Sequence, residues 1–261
     1  MTIRYLNKIY LFNTCDILDK SRSTQFLPNA NNWRRMTEDY IKINRIAYDS
    51  LFGEYEKRAI RRATCKSNYE ESAESLGGKV LCHARLNFPE ISVLEIGPGS
   101  GEMLLYFETN GCQTTAIELS TKMAKIAHAR SPNTKFIIGN ALEVGLNRDE
   151  FEIIYAGAII HLFPFNDALR LLSKIYNSLR PKGFLFINTT LHDIPEEGYQ
   201  FKSDYGIIVK RFRKRWTEDE FMHALESCNF KIIERLFTDE KDRGKKWIAF
   251  ICTKRRSNNE T

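Results

Sequence analysis

The chain is poor in the features that announce a metal centre, a disulfide framework or a membrane span. Its six cysteines (Cys15, Cys65, Cys82, Cys112, Cys228 and Cys252) never form a C-x-x-C pair. Structural zinc and disulfide scaffolds both need clustered thiols, so scattered ones fit a reducing cytoplasm. No apolar run approaches the roughly 20 residues of a membrane helix. The opening Met1-Thr2-Ile3-Arg4-Tyr5-Leu6-Asn7-Lys8 lacks the apolar stretch of a secretory leader. There is no catalytic triad, no metal-ligand cluster, no internal repeat and no low-complexity tract. A cytoplasmic protein without a resident metal is expected.

Charge of one sign is also scarce. The net charge of +6 in 261 residues comes largely from Lys210-Arg211-Phe212-Arg213-Lys214-Arg215 and from Lys254-Arg255-Arg256. Such a run reads either as a solvated basic face or as a contact for an anionic substrate or RNA. No nucleic-acid motif accompanies it, which speaks against a nucleic-acid partner. Hydrophobic residues make up 43%, enough for a sizeable core.

The most informative segment is Val93-Leu94-Glu95-Ile96-Gly97-Pro98-Gly99-Ser100-Gly101. An apolar run ending in alternate glycines predicts a buried strand that turns sharply into a helix. Glycine allows positive φ and has no Cβ to hold a ligand off the backbone, while the helix opening favours a negative group. From residue 91 onward, apolar runs alternate with amphipathic stretches, the pattern of βα units and a parallel sheet. Strands are expected at 91–96, Gln113–Ile117, Lys135–Gly139, Glu152–Ile160, Phe184–Asn188, Phe230–Leu236 and Lys246–Thr253. Helices are expected from about Gly101 to Asn110, after the capping Ser120, over Phe165–Leu179, and after the capping box Thr217-x-x-Glu220. A turn-rich segment, Thr238 to Gly244, separates the last two strands.

The spacing Glu95-x-Gly97-x-Gly99-x-Gly101 differs from the G-x-G-x-x-G of dinucleotide folds. It resembles motif I of the class I, Rossmann-like S-adenosylmethionine-dependent methyltransferases, and Leu179-Arg180-Pro181-Lys182-Gly183 resembles that family's Leu-Arg-Pro-Gly-Gly turn. The resemblance covers roughly residues 40 to 253. It implies an α/β fold with a Rossmann-like, seven-stranded, mostly parallel sheet, one antiparallel strand and helices on both faces. Residues 1–90 are then an N-terminal helical extension or lid, carrying turn-like Pro28-Asn29-Ala30-Asn31-Asn32. Residues 91–254 form the S-adenosylmethionine-binding core, with 191–215 a substrate-side insert after the fifth strand. Both additions are expected over the carboxyl ends of the strands.

In that family the glycine loop (here Gly97, Pro98, Gly99 and Gly101) wraps the amino-acid end of S-adenosylmethionine, and the leading acid, here Glu95, helps hold its ammonium group. Glu118 would bind the ribose, with Leu119, Ser120 and Met123 near the adenosine. An acid at that place also serves dinucleotide folds, so Glu118 alone does not separate the two. Asn140-Ala141-Leu142 stands where the family usually has an acid followed by alanine; the Asn140 carbonyl can accept from adenine, or Asn140 is simply a turn residue. Ala156, within the fourth strand, is a further cofactor-binding candidate that the resemblance implies. Tyr48 and Tyr55 resemble an early tyrosine helix that closes over the cofactor, and core packing explains them equally well. His161 is the first candidate for a general base and His192 the second, with Asp193 or Asp204 to orient it; a histidine that satisfies backbone behind the cofactor is the competing reading of His161. His83, His128 and His223 fall on helices away from that edge. Phe163, Phe165, Phe201, Tyr205, Phe212 and Trp216 line an acceptor pocket or form the insert's own core. The resulting expectation is O- or N-methylation of a small-molecule acceptor. An RNA methyltransferase, a non-catalytic cofactor-binding protein and a nicotinamide oxidoreductase are the alternatives.

Overall fold

A computed structural model describes residues 30–64, 69–203, 206–241 and 244–255. The elements run α1 (Ala30–Thr64), α2 (Tyr69–Arg85), β1 (Ser92–Ile96), α3 (Glu102–Thr109), β2 (Gln113–Glu118), α4 (Thr121–Arg130), β3 (Lys135–Ile138) and β4 (Phe151–Ala156). They continue with α5 (Phe165–Ser178), β5 (Leu179–Thr190), β6 (Glu196–Lys202), β7 (Val209–Arg215), α6 (Glu218–Ser227), β8 (Phe230–Glu240) and β9 (Lys245–Lys254). Seven strands make one sheet in the order β3-β2-β1-β4-β5-β9-β8. β9 pairs antiparallel with both neighbours, and the remaining pairs are parallel.

The central strands are apolar throughout because both sheet faces are covered. Leu94, Ile96, Ile154, Leu185 and Phe250 point to the side of α5 and α6. Val93, Ile153, Tyr155, Phe186 and Ile251 point to the other side, where Val80, Leu81 and Ala84 of α2 join them. Strand order reverses between β1 and β4, and in open α/β sheets the ligand crevice opens at the carboxyl ends beside that reversal.

Several expectations change. Within the expected extension, α2 packs Val80, Leu81 and Ala84 as a layer of the core on one sheet face. Ala30–Asn32 open α1 instead of a turn, while Pro28 and Asn29 lie outside the described residues. The fourth strand stops at Ala156, and a one-turn 3-10 helix, Ile160–Leu162, follows. β8 runs on through Thr238–Glu240, part of the segment read as turn. The insert is a hairpin of β6 and β7. Its basic run is not a solvated face, because Arg211 and Lys214 are buried. Lys214 pairs with Glu220 at 2.8 Å and lies over the Trp216 ring, 4.6 Å from its centroid. Glu220 therefore gives its carboxylate to Lys214, and only the Thr217 half of the capping box forms, accepting from the Glu220 amide.

α1 is fastened along its length. The Tyr40 hydroxyl donates to Asp167 (2.8 Å), and Asn44 donates to the Leu162 carbonyl (3.1 Å) while accepting from the Phe212 amide (2.8 Å). Asp49 accepts from the Ser120 hydroxyl, and the Ala59 carbonyl accepts from Arg130. Leu51 packs with Val209 of β7, and Ala59 with Met123 and Ile126 of α4. No described helix is long and apolar enough to cross a membrane.

Candidate active site

The turn after β1 bends through three glycines with φ of 70° (Gly97), 57° (Gly99) and 78° (Gly101), values that L side chains rarely adopt. They serve different neighbours. A Cβ on Gly97 would stand 2.8 Å from the Ile159 side chain, and one on Gly101 would stand 2.9 Å from the Ala127 backbone. Gly101 therefore lets α3 approach α4. A Cβ on Gly99 would meet nothing within 4 Å, and Gly99 faces a cavity of about 1030 Å³. That volume sits at the upper end of small-molecule sites, roughly 300–1,000 Å³.

The cavity lies at the carboxyl ends of β1, β2, β3 and β4. Glu95, Gly97, Pro98, Gly99, Glu118, Leu119, Met123, Asn140 and Ala141 all line it, as do Tyr48 and Tyr55. Gly101, Ser120, Leu142 and Ala156 are not among the lining residues; Ser120 caps α4 by accepting from the Met123 amide at 3.1 Å. The Asn140 side-chain Oδ1 accepts from the Leu142 amide, 3.1 Å, so it orders the turn whatever else it binds.

Both acids are held in unusual states. Glu95 is 4% exposed, and its Oε2 has no hydrogen-bond partner. Burial, with the nearby Glu102 and Glu118 carboxylates, raises its pKa to about 8. Glu118 is raised to about 7 by burial, against amide donation from Ser120 (2.8 Å) and Leu119. A buried carboxyl with an orphaned oxygen at a cavity wall is a ready place for a cation.

The two histidines sit behind the wall. His161 is 3% exposed, with Nδ1 3.2 Å from the Thr189 hydroxyl, and is not among the lining residues. Burial and the surrounding Arg213, Arg211 and Lys202 hold its pKa well below 6.5. His192 meets the Thr190 hydroxyl at 3.0 Å, also outside the lining set. Of the aromatic residues expected around an acceptor, Phe163 lines the cavity; Phe212 and Trp216 are core, Phe165 packs against that core, and Phe201 is exposed. Asp204 and Tyr205 lie outside the described residues.

Residues 94–187 match the family model described as a methyltransferase domain. The core carries a methyltransferase domain, and its fold is that of the class I S-adenosylmethionine-dependent methyltransferases. Phosphoethanolamine N-methyltransferase of Plasmodium falciparum is 30% identical over 59% of this chain and 58% of its own length. Malonyl-[acyl-carrier protein] O-methyltransferase of Enterobacter lignolyticus is 27% identical over 51% and 53%. The chain thus spans little more than half of these relatives. The fold is similar to that of Burkholderia thailandensis 1,6-didemethyltoxoflavin-N1-methyltransferase, solved with 1,6-didemethyltoxoflavin and S-adenosylhomocysteine (TM-score 0.64, 19% identity, 84% of this chain and 91% of that one).

The residues of the methyltransferase domain fit its cofactor. Glu95 offers an orphaned carboxyl oxygen, Gly99 leaves the space a Cβ would occupy, and Glu118 presents a second acid beside them. The sequence did not reveal the far wall: Tyr40 and Asn44 of α1, Asn188 at the end of β5, Thr238–Lys241 and Trp247 also line the cavity. Asn188 accepts from the Ala158 amide at 2.6 Å and so fixes the turn after β4. An asparagine near a strand's carboxyl end was the available signal for Asn188, whereas Trp247 and residues 238–241 are brought in by the β8–β9 hairpin alone.

Proposed function

We propose that the protein transfers a methyl group from S-adenosylmethionine to an oxygen or nitrogen of a small-molecule acceptor held in this cavity. The observation that carries the reading is the convergence of Glu95, Gly99, Glu118 and Asn140 on one cavity whose opposite side is left for an acceptor. When bound, the cofactor supplies an electrophilic methyl group on a sulfonium. Glu95 would hold the ammonium end, Glu118 would accept from the ribose hydroxyls, and Asn140 with Ala141 would border the adenine. The Tyr48 and Tyr55 rings, 6.2 Å apart, present aromatic faces that favour a cation by about 0.5–2 kcal/mol.

For displacement with a good leaving group the protein's chief contribution is alignment, worth about 7–11 kcal/mol when geometry is well held. α1 and the β8–β9 end border the cavity, and excluding water there would protect the reacting atoms. His161, the first candidate base, is a positioning residue in this proposal, bracing Thr189 behind Asn188. Small-molecule use is favoured over RNA because Arg211 and Lys214 of the basic run are buried and leave no continuous phosphate track. The names of the two curated relatives describe methylation of phosphoethanolamine and of a carrier-bound malonyl group, which supports the same class of chemistry here.

Calorimetry with S-adenosylmethionine and with NADH tests the cofactor, and a labelled-methyl assay on metabolite and RNA pools tests the acceptor. Binding of the first ligand and label in the metabolite pool are expected. Binding of NADH alone would overturn the reading, as would label in RNA alone.

A further inference from the structure

One charged corner of the site has no part in holding the cofactor. Arg211 of β7 is 8% exposed, yet among the described residues its guanidinium makes a single hydrogen bond, from Nη1 to the Tyr48 hydroxyl at 3.5 Å. Tyr48 lines the cavity, and Arg211, itself not among the lining residues, stands directly behind it. Its strand neighbours are provided for: Lys214 has Glu220, Arg215 has Glu196 at 2.7 Å, and Arg213 donates to Thr190 at 2.8 Å. No described carboxylate pairs with Arg211. The fully enclosed orphan atoms of the described residues include none from Arg211, so its remaining N–H groups reach open space.

A buried charge is normally paired, because the desolvation cost is otherwise unrelieved. A carboxyl or an ammonium can escape by changing protonation, but a guanidinium keeps its charge at any ordinary pH. Moreover, Lys202 and Arg213 share the neighbourhood: burial first, then Arg213, Arg211 and Lys202, lower the pKa of His161. The corner is cationic, and Arg211 within it is desolvated with no carboxylate partner among the described residues.

We propose that this corner takes an anionic group of the methyl acceptor, a carboxylate or a phosphate, with Arg211 as the contact that selects it. The proposal rests on the methyl-transfer reading and names the acceptor's chemical class. A planar two-pronged donor suits both groups geometrically, and Arg213 and Lys202 strengthen the local field. The Tyr48 hydroxyl, already bonded to Nη1, adds a neutral donor beside it.

The test titrates inorganic phosphate and malonate separately into protein saturated with S-adenosylhomocysteine, by calorimetry and by thermal unfolding. At least one anion is expected to bind and to raise the unfolding midpoint. Arg211→Gln should weaken that binding about tenfold or more, the scale of one charge-assisted contact. Arg211→Lys, which keeps charge but loses the fork, should fall between the two. Lys210→Gln, on the exposed side of the same strand, should leave anion affinity unchanged. All three variants should keep the affinity for S-adenosylhomocysteine, and Arg211→Gln should keep or raise the anion-free unfolding midpoint. Preference for phosphate or for malonate tells the two sources apart. Absence of binding by both anions overturns the proposal, as does equal binding by Arg211→Gln, or a lowered midpoint showing that Arg211 only holds the fold. Failure of the wild type to bind S-adenosylhomocysteine counts against the methyl-transfer reading instead, and the same anion titrations without it still decide the corner.

Discussion

Binding a cation beside Glu95 should expel a proton, and the size of that effect follows from the site. Burial, then Glu102 and Glu118, raise the Glu95 pKa to about 8 in the protein alone. The ionised fraction is then ~1% near pH 6, ~10% near pH 7 and about half near pH 8. An ammonium group gains its ion pair only with the ionised form. Apparent affinity for S-adenosylhomocysteine should therefore tighten about tenfold from pH 6 to 7, or ~1.4 kcal/mol, and about fivefold more by pH 8. Above that the gain ends, and the ligand's own α-amino group, of pKa about 8, begins to lose its proton.

Calorimetry in two buffers of different ionisation enthalpy counts the protons. Close to one should leave Glu95 near pH 7, with up to about half of another from Glu118, whose pKa is raised to about 7. Glu95→Gln should remove about one proton from the count and flatten the pH dependence. The linkage to stability has the opposite sign. A carboxyl whose folded pKa lies above its unfolded value of 4.5 stabilises fully below 4.5 and loses that contribution as pH rises through about 8. The protein alone should thus lose a few kcal/mol between those limits, and Glu95→Gln should lose less. A pH-independent affinity, or a proton release that survives Glu95→Gln, would refute the assignment of Glu95 to the cation.

Much of the cofactor side was legible because it is local. The Glu95–Gly101 spacing, the acid closing β2 and the Ser120 cap are each set within a few residues, and the alternation of strand and helix patterns points to a largely parallel sheet. The cavity walls from α1 and the β8–β9 hairpin were not legible, since they come from elements far apart in sequence. In β7 the run Lys210–Arg215 reads as surface charge, yet Lys214 is drawn inward by Glu220 and the Trp216 ring, partners that pattern analysis does not connect. His161 stands at the strand end where sequence put it. Its ring is turned away by the 3-10 helix and by Thr189, 28 residues later. The loop glycines look alike in sequence, although Gly99 borders the cavity and Gly101 touches α4.

Four other substitutions test the remaining reasoning. His161→Gln, which can still meet Thr189, should leave the pH profile of turnover unshifted if His161 only positions, and loss of a limb near its titration would restore a base role. Lys182 stands at φ 66°, where the family pattern has glycine, so Lys182→Gly should stabilise by about 0.5–1 kcal/mol and raise the unfolding midpoint by ~2 °C; an unchanged or lower midpoint argues that the strain is absent. The two loop glycines should part company. A Cβ at Gly101 would press on the Ala127 backbone at 2.9 Å, which cannot swing aside, so Gly101→Ala should cost about 2–3 kcal/mol of stability. At Gly99 the protein leaves open space, so Gly99→Ala should cost only about 1 kcal/mol for its positive φ while weakening S-adenosylhomocysteine about tenfold or more. If Gly99→Ala binds normally, the backbone does not approach the ligand there, and the cradle must be sought on another wall of the cavity.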